Sequence, residues 1–378
     1  MDFTITKDNI LAAIDKCQLA TDDKHTTEAF TVMTVDAAKK KTVRFAAVGQ
    51  FCSVDTVTEA ETKSFGSFNV KPKHLRSVVS SMPPGKIQIS LKGERITVKS
   101  LVSSRKASFQ NHALDIFKID DPGKDAAWIE VDSQQLVRAL GCVKAASSWI
   151  QRSDPDGCLL VPTERGLSIF GCNMYLLARV DTSIRVDGPP IIMPATASAV
   201  LTLMAPDDAA VRIFSDTNRV YLENADTLVS APLFDYKFLT NYQMFWGMIE
   251  DEGNVVGPTL ALPVFAQGVK AILACGGFSV EKERDSTYGL FMHAKFGEAA
   301  EVSLALAEAD AKDEFDVLRA GADIECDVSS NLLVQAINSF GSTSEVQVLL
   351  ARHDPTEMLV LRTQGLTYGL MTKAKERT

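Results

Sequence analysis

The chain has 378 residues, 46% of them hydrophobic and 23% charged, which supplies material for two or three packed cores and excludes disorder as the main state. Its net charge of −9 excludes DNA binding by a uniformly basic surface, so any nucleic-acid role must rest on local charge or on topology. Seven scattered cysteines without a C-x-x-C pair (Cys17, Cys52, Cys142, Cys158, Cys172, Cys275, Cys326) exclude a disulfide framework and a structural zinc site, and read as small core residues in a reducing cytoplasm. The N-terminal stretch MDFTITKDNILAAIDK lacks a basic segment followed by an apolar run, and no window approaches 18 apolar residues. The expectation is a cytoplasmic protein that neither enters nor crosses a membrane.

In chain order, FTITKDNILAAIDKC from Phe3 predicts a strand leading into a helix, followed by a strand over Thr42–Ala47. FNVKPKHLRSVVSSMPPGKIQISLKGERITVKS then predicts a short strand, a helix with Leu75, Val78 and Val79 at helical spacing, and two alternating strands joined by a turn at Gly93-Glu94. WIEVDSQQLVRALGCV from Trp128 repeats the strand-helix opening, with strands after it at Gly157–Val161 and Leu167–Gly171. The segment around Met193 repeats the second pattern, with Val211-Arg212-Ile213 and Val220-Tyr221-Leu222 as its strands. LALPVFAQGVKAILAC from Leu260 opens a third copy, with a strand over Tyr288–Ala294. Its second half, from Cys326, places Leu332, Leu333, Ala336 and Ile337 on a helix and lengthens the following turn through His353-Asp354-Pro355.

The chain thus reads as an α+β protein of three tandem domains, each a doubled strand-helix-strands unit, with six helices in all. Polar stretches at Asp120–Lys124 and Glu250–Asn254 place the boundaries at 1–124, 125–251 and 252–378.

Met1–Ile5 as M-x-F-T-I, Lys24 with Thr26 after the first helix, F-x-V-x-x-x-x-L at Phe68–Leu75, G-E-R-x-x-V-x-S at Gly93–Ser100 and the strand at Arg105–Phe109 occur in an order that resembles the bacterial DNA polymerase III β subunit, the β sliding clamp family. The resemblance runs over essentially the whole chain. It implies a DNA-clamp fold in which helices line a ring and sheets form its outside, two chains joined head to tail as a homodimer, and double-stranded DNA held topologically. It also implies DNA polymerase and a clamp loader as partners, and no catalysis.

For contact with phosphates, the resemblance and the predicted inner helices nominate Lys24, Lys73, Lys144, Arg152 and Lys270. For an apolar pocket that receives partner peptides, the resemblance nominates Pro155, Cys172, Met174, Tyr175 and Leu177 on one wall, with Leu239, Met244 and Phe245 on the linker side and Met371 from the last strand. Cys172-Asn173-Met174-Tyr175-Leu176-Leu177 stands where the family shows T-D-G-H-R-L, so this wall is bulkier and more apolar. The chain also runs on past Met371 through Thr378.

The helix over Pro194–Pro206 has no basic residue. No phosphate-binding glycine loop, dinucleotide fingerprint, metal-binding histidine pair or nucleophile elbow is present, so no cofactor, metal or catalytic residue is expected. A clamp-derived interaction protein that binds polymerase or loader without encircling DNA is the competing expectation.

Overall fold

The computed structural model describes residues 1–114, 119, 121–123, 126–147, 157–173, 175–204, 210–233, 242–275, 291–305, 310–353 and 356–373. The chain forms two compact units, residues 1–137 with 191–234 and residues 138–190 with 235–378.

In the first unit, β1 (Asp2–Thr6) buries Phe3, Thr4 and Ile5 in succession and ends on Thr6, whose hydroxyl caps α1 (Lys7–Ala20) by accepting the Asn9 N–H at 3.3 Å. A five-stranded sheet has the order β5 (Glu61–Ser64), β1, β7 (Lys86–Lys92), β8 (Arg95–Ser100), β9 (Lys106–Gln110). The β7–β8 hairpin turns at Gly93-Glu94, where Gly93 takes a φ of 58° that a side chain would oppose.

A second, eight-stranded sheet combines the first and middle repeats of the sequence. Its order is β10 (Ile129–Asp132), β15 (Ala210–Ser215), β16 (Arg219–Glu223), β17 (Thr227–Pro232), β4 (Ser53–Glu59), β3 (Thr42–Val48), β2 (Met33–Ala37), β6 (Gly66–Val70). The join between repeats is antiparallel pairing of β17 with β4, from Thr227↔Thr56 to Ser230↔Ser53. Helix α1 packs on β3 and β4 and against α2 (Pro72–Ser81), and also meets α4 (Ala195–Met204), which follows β14 (Ile191–Pro194). Of the predicted apolar stripe of α2, Leu75 and Val79 are fully buried and Val78 is half-buried.

The second unit repeats this plan. Eight strands run in the order β11 (Gly157–Thr163), β12 (Gly166–Cys172), β13 (Leu176–Asp181), β26 (Leu366–Met371), β25 (Thr356–Thr363), β24 (Glu345–His353), β18 (Val255–Ala261), β22 (Val317–Arg319). Four more form the sheet β21 (Asp310–Phe315), β20 (Ala300–Ala305), β19 (Phe291–Phe296), β23 (Ile324–Ser329). Middle and last repeats join where β13 pairs β26, from Leu176↔Leu370 to Val180↔Leu366.

Helix α3 (Ser133–Ser147) lies close over β12 and β26. A Cβ at Gly171 would stand 2.6 Å from the Val143 carbonyl oxygen, and the Tyr368 hydroxyl donates to the Cys142 carbonyl. Helices α6 (Leu262–Cys275) and α7 (Ser330–Ser339) pack together in this unit.

Two expectations change. Among the described residues a seventh α-helix, α5 (Tyr242–Glu250), lies between the second and third repeats, and its Trp246, Met248 and Ile249 are buried. The apolar residues of this stretch supply a helical face that the two-halves-per-domain pattern had no place for. In the last repeat the strands lengthen instead of the turn, because β24 and β25 stay paired out to His353↔Thr356. Asp354 and Pro355 lie outside the described residues.

One charged group is buried in the first unit. The Lys16 side chain, 9% exposed, donates from Nζ to Thr227 Oγ1 at 2.9 Å, stands 3.6 Å from Asp226 Oδ1, and so ties α1 to the first residues of β17. Thr227 also shares a hydroxyl contact of 2.8 Å with Thr56 across the β17–β4 join. Thr227→Val removes the acceptor and leaves the ammonium under-solvated, and its expected cost is about 1–3 kcal/mol. Lys16→Met, which removes the charge as well, is expected to cost less; urea unfolding of both variants checks the order.

Candidate functional site

The six helices that follow the opening strand of each repeat half concentrate positive charge in an acidic chain. Together α1, α2, α3, α4, α6 and α7 carry seven Lys or Arg and two Asp, against a net charge of −9 for the whole. Three of the seven hold the helices in place. Lys7 Nζ donates to the Ser80 carbonyl at 2.9 Å, where the end of α2 favours a cation. Lys16 is buried as described, and Arg76 Nε contacts Asp15 Oδ1 at 2.5 Å.

The other four, Lys73, Arg138, Lys144 and Lys270, are exposed. Three of these were nominated from the sequence; Arg138 was not, although its spacing on the same helix as Lys144 was legible. Lys24 is exposed on the loop after α1, and the structure brings that loop to α2, with Lys73 Nζ 3.5 Å from Asp23 Oδ2. With the lysine side chain 69% exposed, this pair contributes about 0–1 kcal/mol and yields readily to a competing phosphate. Arg152 lies outside the described residues.

Three of the nominated pocket residues, Cys172, Leu177 and Met371, share one sheet face of the second unit. The register sets Cys172 opposite Leu177 and Leu177 opposite Gly369, and the two-residue period of a strand puts Met371 on the side of Gly369. Tyr368 therefore points to the other side, toward α3. Helix α5 covers the Cys172 face, with the Trp246 ring edge-on to Phe170 at 5.6 Å. Cys172 and Leu177 are buried, Tyr175 and Met371 are half-buried, and Met244 on α5 is 59% exposed. The Asn173 side chain fixes the turn before β13, accepting the N–H of Tyr175 at 2.9 Å and of Leu176 at 2.8 Å. Pro155, Met174 and Leu239 lie outside the described residues, as does the side chain of Phe245.

A cavity of about 450 Å³ opens further along this face, and sequence reasoning did not find it. Arg179, Asp181, Trp246, Glu250, Arg362 and Thr367 line it, and the nominated pocket residues do not. The Arg179 guanidinium sits 4.8 Å from the Trp246 ring centroid and 5.4 Å from that of Phe170. It donates to Asp181 Oδ1 at 2.7 Å and to Glu250 Oε1 at 3.2 Å. The missed signal was Arg179 alternating with Leu177 on one strand, two steps from the predicted wall.

Residues 1–119 match the family model described as DNA polymerase III beta subunit, N-terminal domain. No curated protein sequence matches the chain. Solved structures match over its whole length. The DNA polymerase III subunit beta from Borrelia burgdorferi, in complex with a natural product, is 13% identical at a TM-score of 0.82, with 100% of both chains covered. The DNA polymerase sliding clamp from Bacillus subtilis is 12% identical at 0.81, again over 100% of both chains. The chain has the sliding-clamp fold. The DNA polymerase III subunit beta from Pseudomonas aeruginosa, 15% identical at 0.78 and covering 99% of this chain and 100% of its own, agrees. The resemblance read from the sequence is thus shown: the family model covers the first 119 residues, and the fold extends over the whole chain at 12–15% identity. Among the described residues of this clamp fold no helix is long and apolar enough to cross a membrane.

The thiols separate cleanly by environment. Burial pushes the Cys172 thiol up to about 12 and the Cys52 thiol up to about 11, and it raises Cys17 further. Since the folded state favours the neutral thiol of Cys172, that preference stabilises the fold below the unfolded value of 9.0 and is lost as pH rises through about 12. At pH 8 burial therefore holds Cys172 as the neutral thiol. Iodoacetamide at that pH is expected to modify exposed Cys275 and to leave Cys17, Cys52 and Cys172 unmodified until denaturant is added, as peptide mass mapping would record.

Proposed function

We propose that this protein is a DNA sliding clamp: a head-to-tail homodimer that encircles duplex DNA and holds polymerase and other partners on it, without catalysis of its own. The observation that carries the reading is the segregation of positive charge onto the six helices that follow the opening strands, in an acidic chain with the clamp fold. A ring holds DNA by enclosure, so a few cations that soften the passage of phosphates suffice, and an acidic exterior repels other DNA. Lys24, Lys73, Lys144, Arg152 and Lys270 are the proposed phosphate-facing groups, with Arg138 added. The three domains are proposed at 1–124, 125–251 and 252–378.

Closure of the ring is supported by two open strand edges. Among the described residues β9 and β21 each pair on one side only, and unpaired edges are satisfied by a neighbouring strand or become a liability. The first carries Lys106 just after Arg105, and the second carries Asp310, Asp313 and Glu314 against Lys312, so β9 of one copy meets a β21 of net opposite charge on the next. Partners are proposed to anchor apolar side chains on the Cys172–Leu177–Met371 face beside α5, with Pro155, Met174, Tyr175, Leu239, Met244 and Phe245 completing the pocket. A separate loader opens the ring. The place of action is the cytoplasm.

Loading onto circular plasmid, with the cognate loader or by long incubation at high protein concentration, followed by a high-salt wash, tests the reading. A clamp survives the wash on circles and is lost after linearisation, and in solution its mass is near twice 41.1 kDa. Replacing Lys24 and Lys73 together by Ala is expected to lower the salt dependence of residual linear-DNA binding by about 0.9 per lost contact while leaving retention on circles intact.

One observation favours a different reading, that of a clamp-derived protein which binds polymerase or loader without enclosing DNA. Helices α4 and α7 carry no charged residue at all. Equal loss from circular and linear DNA, together with the mass of a single chain, would establish it.

A further inference from the structure

The segment after Met371 turns onto a strand edge within two residues. β26 closes at Met371, Thr372 then bridges antiparallel to Val328 of β23, and the Lys373 N–H donates to the Asp327 carbonyl at 2.9 Å. Apart from that bridge, β23 pairs on one side only, with β19, among the described residues. Main-chain groups alternate in direction along a strand, so the N–H and carbonyl of Glu325 face the same open side as the Asp327 carbonyl. An open edge of this kind takes up another strand.

The first repeat makes the same crossing and holds it differently. Asn69 and Asp327 each stand three residues before the first residue of a helix, α2 at Pro72 and α7 at Ser330. The His112 N–H donates to the Asn69 carbonyl at 3.1 Å, as that of Lys373 does to Asp327. There the Asn69 amide ties the crossing chain down, donating to the His112 carbonyl at 2.9 Å and the Leu114 carbonyl at 2.7 Å. A carboxylate at Asp327 has no proton to donate, so in the third repeat the donors have to come from the crossing chain.

The sequence supplies them. Residues 373–378 read KAKERT, with Lys373, Lys375 and Arg377 at a two-residue period. Extending the observed register puts Lys373 opposite Asp327, Lys375 opposite Glu325 and Arg377 opposite Asp323, all on one face. Ala374, opposite Cys326, and the lone anion Glu376 fall on the other. Residues 374–378 lie outside the described residues, whereas the carboxylates do not. The Asp327 and Glu325 side chains stay 46% and 55% exposed, although His293 meets them at 2.9 and 3.2 Å and Lys295 reaches Glu325 at 3.8 Å. Lys373 is exposed on this same face, its Nζ 5.8 Å from the Phe291 ring centroid.

We propose that residues 373–378 dock on their own chain as a further antiparallel strand along the open edge of β23, in that register, held by the three cross-strand charge pairs. The chain's own segment is the occupant because its first residues are already seated there and its charge period matches that of β23. Docked in this way it is a strap that fixes the end of β26. Met371 lies directly before the strap, which therefore also sets that side chain's place on the Cys172–Leu177 face; this last consequence alone rests on the partner-docking reading.

Disulfide trapping in the full chain tests the register. Ala374→Cys puts a thiol opposite native Cys326 in a non-hydrogen-bonded pair, whose Cα atoms stand about 4.5 Å apart, within reach of a disulfide. With diamide as oxidant, this variant is expected to give an intrachain 326–374 disulfide by peptide mass mapping, and Lys375→Cys, on the other face, to give none with Cys326. Adding Lys375→Glu to Ala374→Cys is expected to slow trapping about threefold. The Glu325 N–H supplies a readout that does not depend on Cys326: its hydrogen exchange is expected to be about tenfold slower in the full chain than in one lacking residues 374–378. Equal exchange in the two chains, or equal trapping of the two cysteine variants, overturns the proposal. A 326–374 disulfide joining two chains overturns it as well, by giving the edge to a second copy. Neither measurement involves a partner peptide, so a failure of the partner-docking reading leaves the strap standing.

Discussion

Antiparallel pairing across the joins between repeats is the constraint on which this structure depends. A strand at the end of one repeat presents a row of N–H and carbonyl groups that must find partners. Here the next repeat supplies them, β4 receiving β17 in one unit and β13 receiving β26 in the other. Those two ladders join short sheets into long ones and fix which repeat halves share a core. They also set the register of the Cys172–Leu177 face, because a slip of one residue between β13 and β26 would exchange the sides of Gly369 and Tyr368.

The helices inherit their positions from those sheets. Burial of Leu75, Val79 and their counterparts orients each helix with one face down, and charge is left for the opposite face. Part of that charge is structural: Lys7, Lys16 and Arg76 each satisfy a specific neighbour. The exposed remainder is modest in number. For the ring proposed above, few contacts would be an advantage, since confinement would come from topology and not from grip.

Much of the fold was legible in the sequence for physical reasons that act locally. Period-two strands, helical stripes at Leu75–Val79 and Leu332–Ile337, capping residues such as Thr6, and the Gly93-Glu94 turn all express near-neighbour rules. Helix α5 was not legible, because its apolar residues fit a linker that touches a pocket as well as they fit a helix. The pairing between repeats was invisible, since nothing in β4 or β17 alone says which strand will lie beside it. The same limit applies to the candidate site. Cys172, Leu177 and Met371 could be nominated by resemblance, but the Arg179–Trp246 stack needed α5 laid on β13, a relation set by tertiary packing. Buried Lys16 was likewise unreadable, because its partner Thr227 lies 211 residues downstream.

That separation has a consequence for how the protein is made. During synthesis at about 5–20 residues per second, roughly 10–40 s elapse between the emergence of Lys16 and that of Thr227. Throughout that interval α1 has its apolar face ready to pack but no acceptor for its ammonium, and β4 has an open edge. The first repeat therefore waits, half-assembled, for the middle one, and the amino-terminal unit is completed only when the chain has passed the midpoint of its translation. A nascent chain of this design has a built-in period of dependence on whatever shields it at the ribosome.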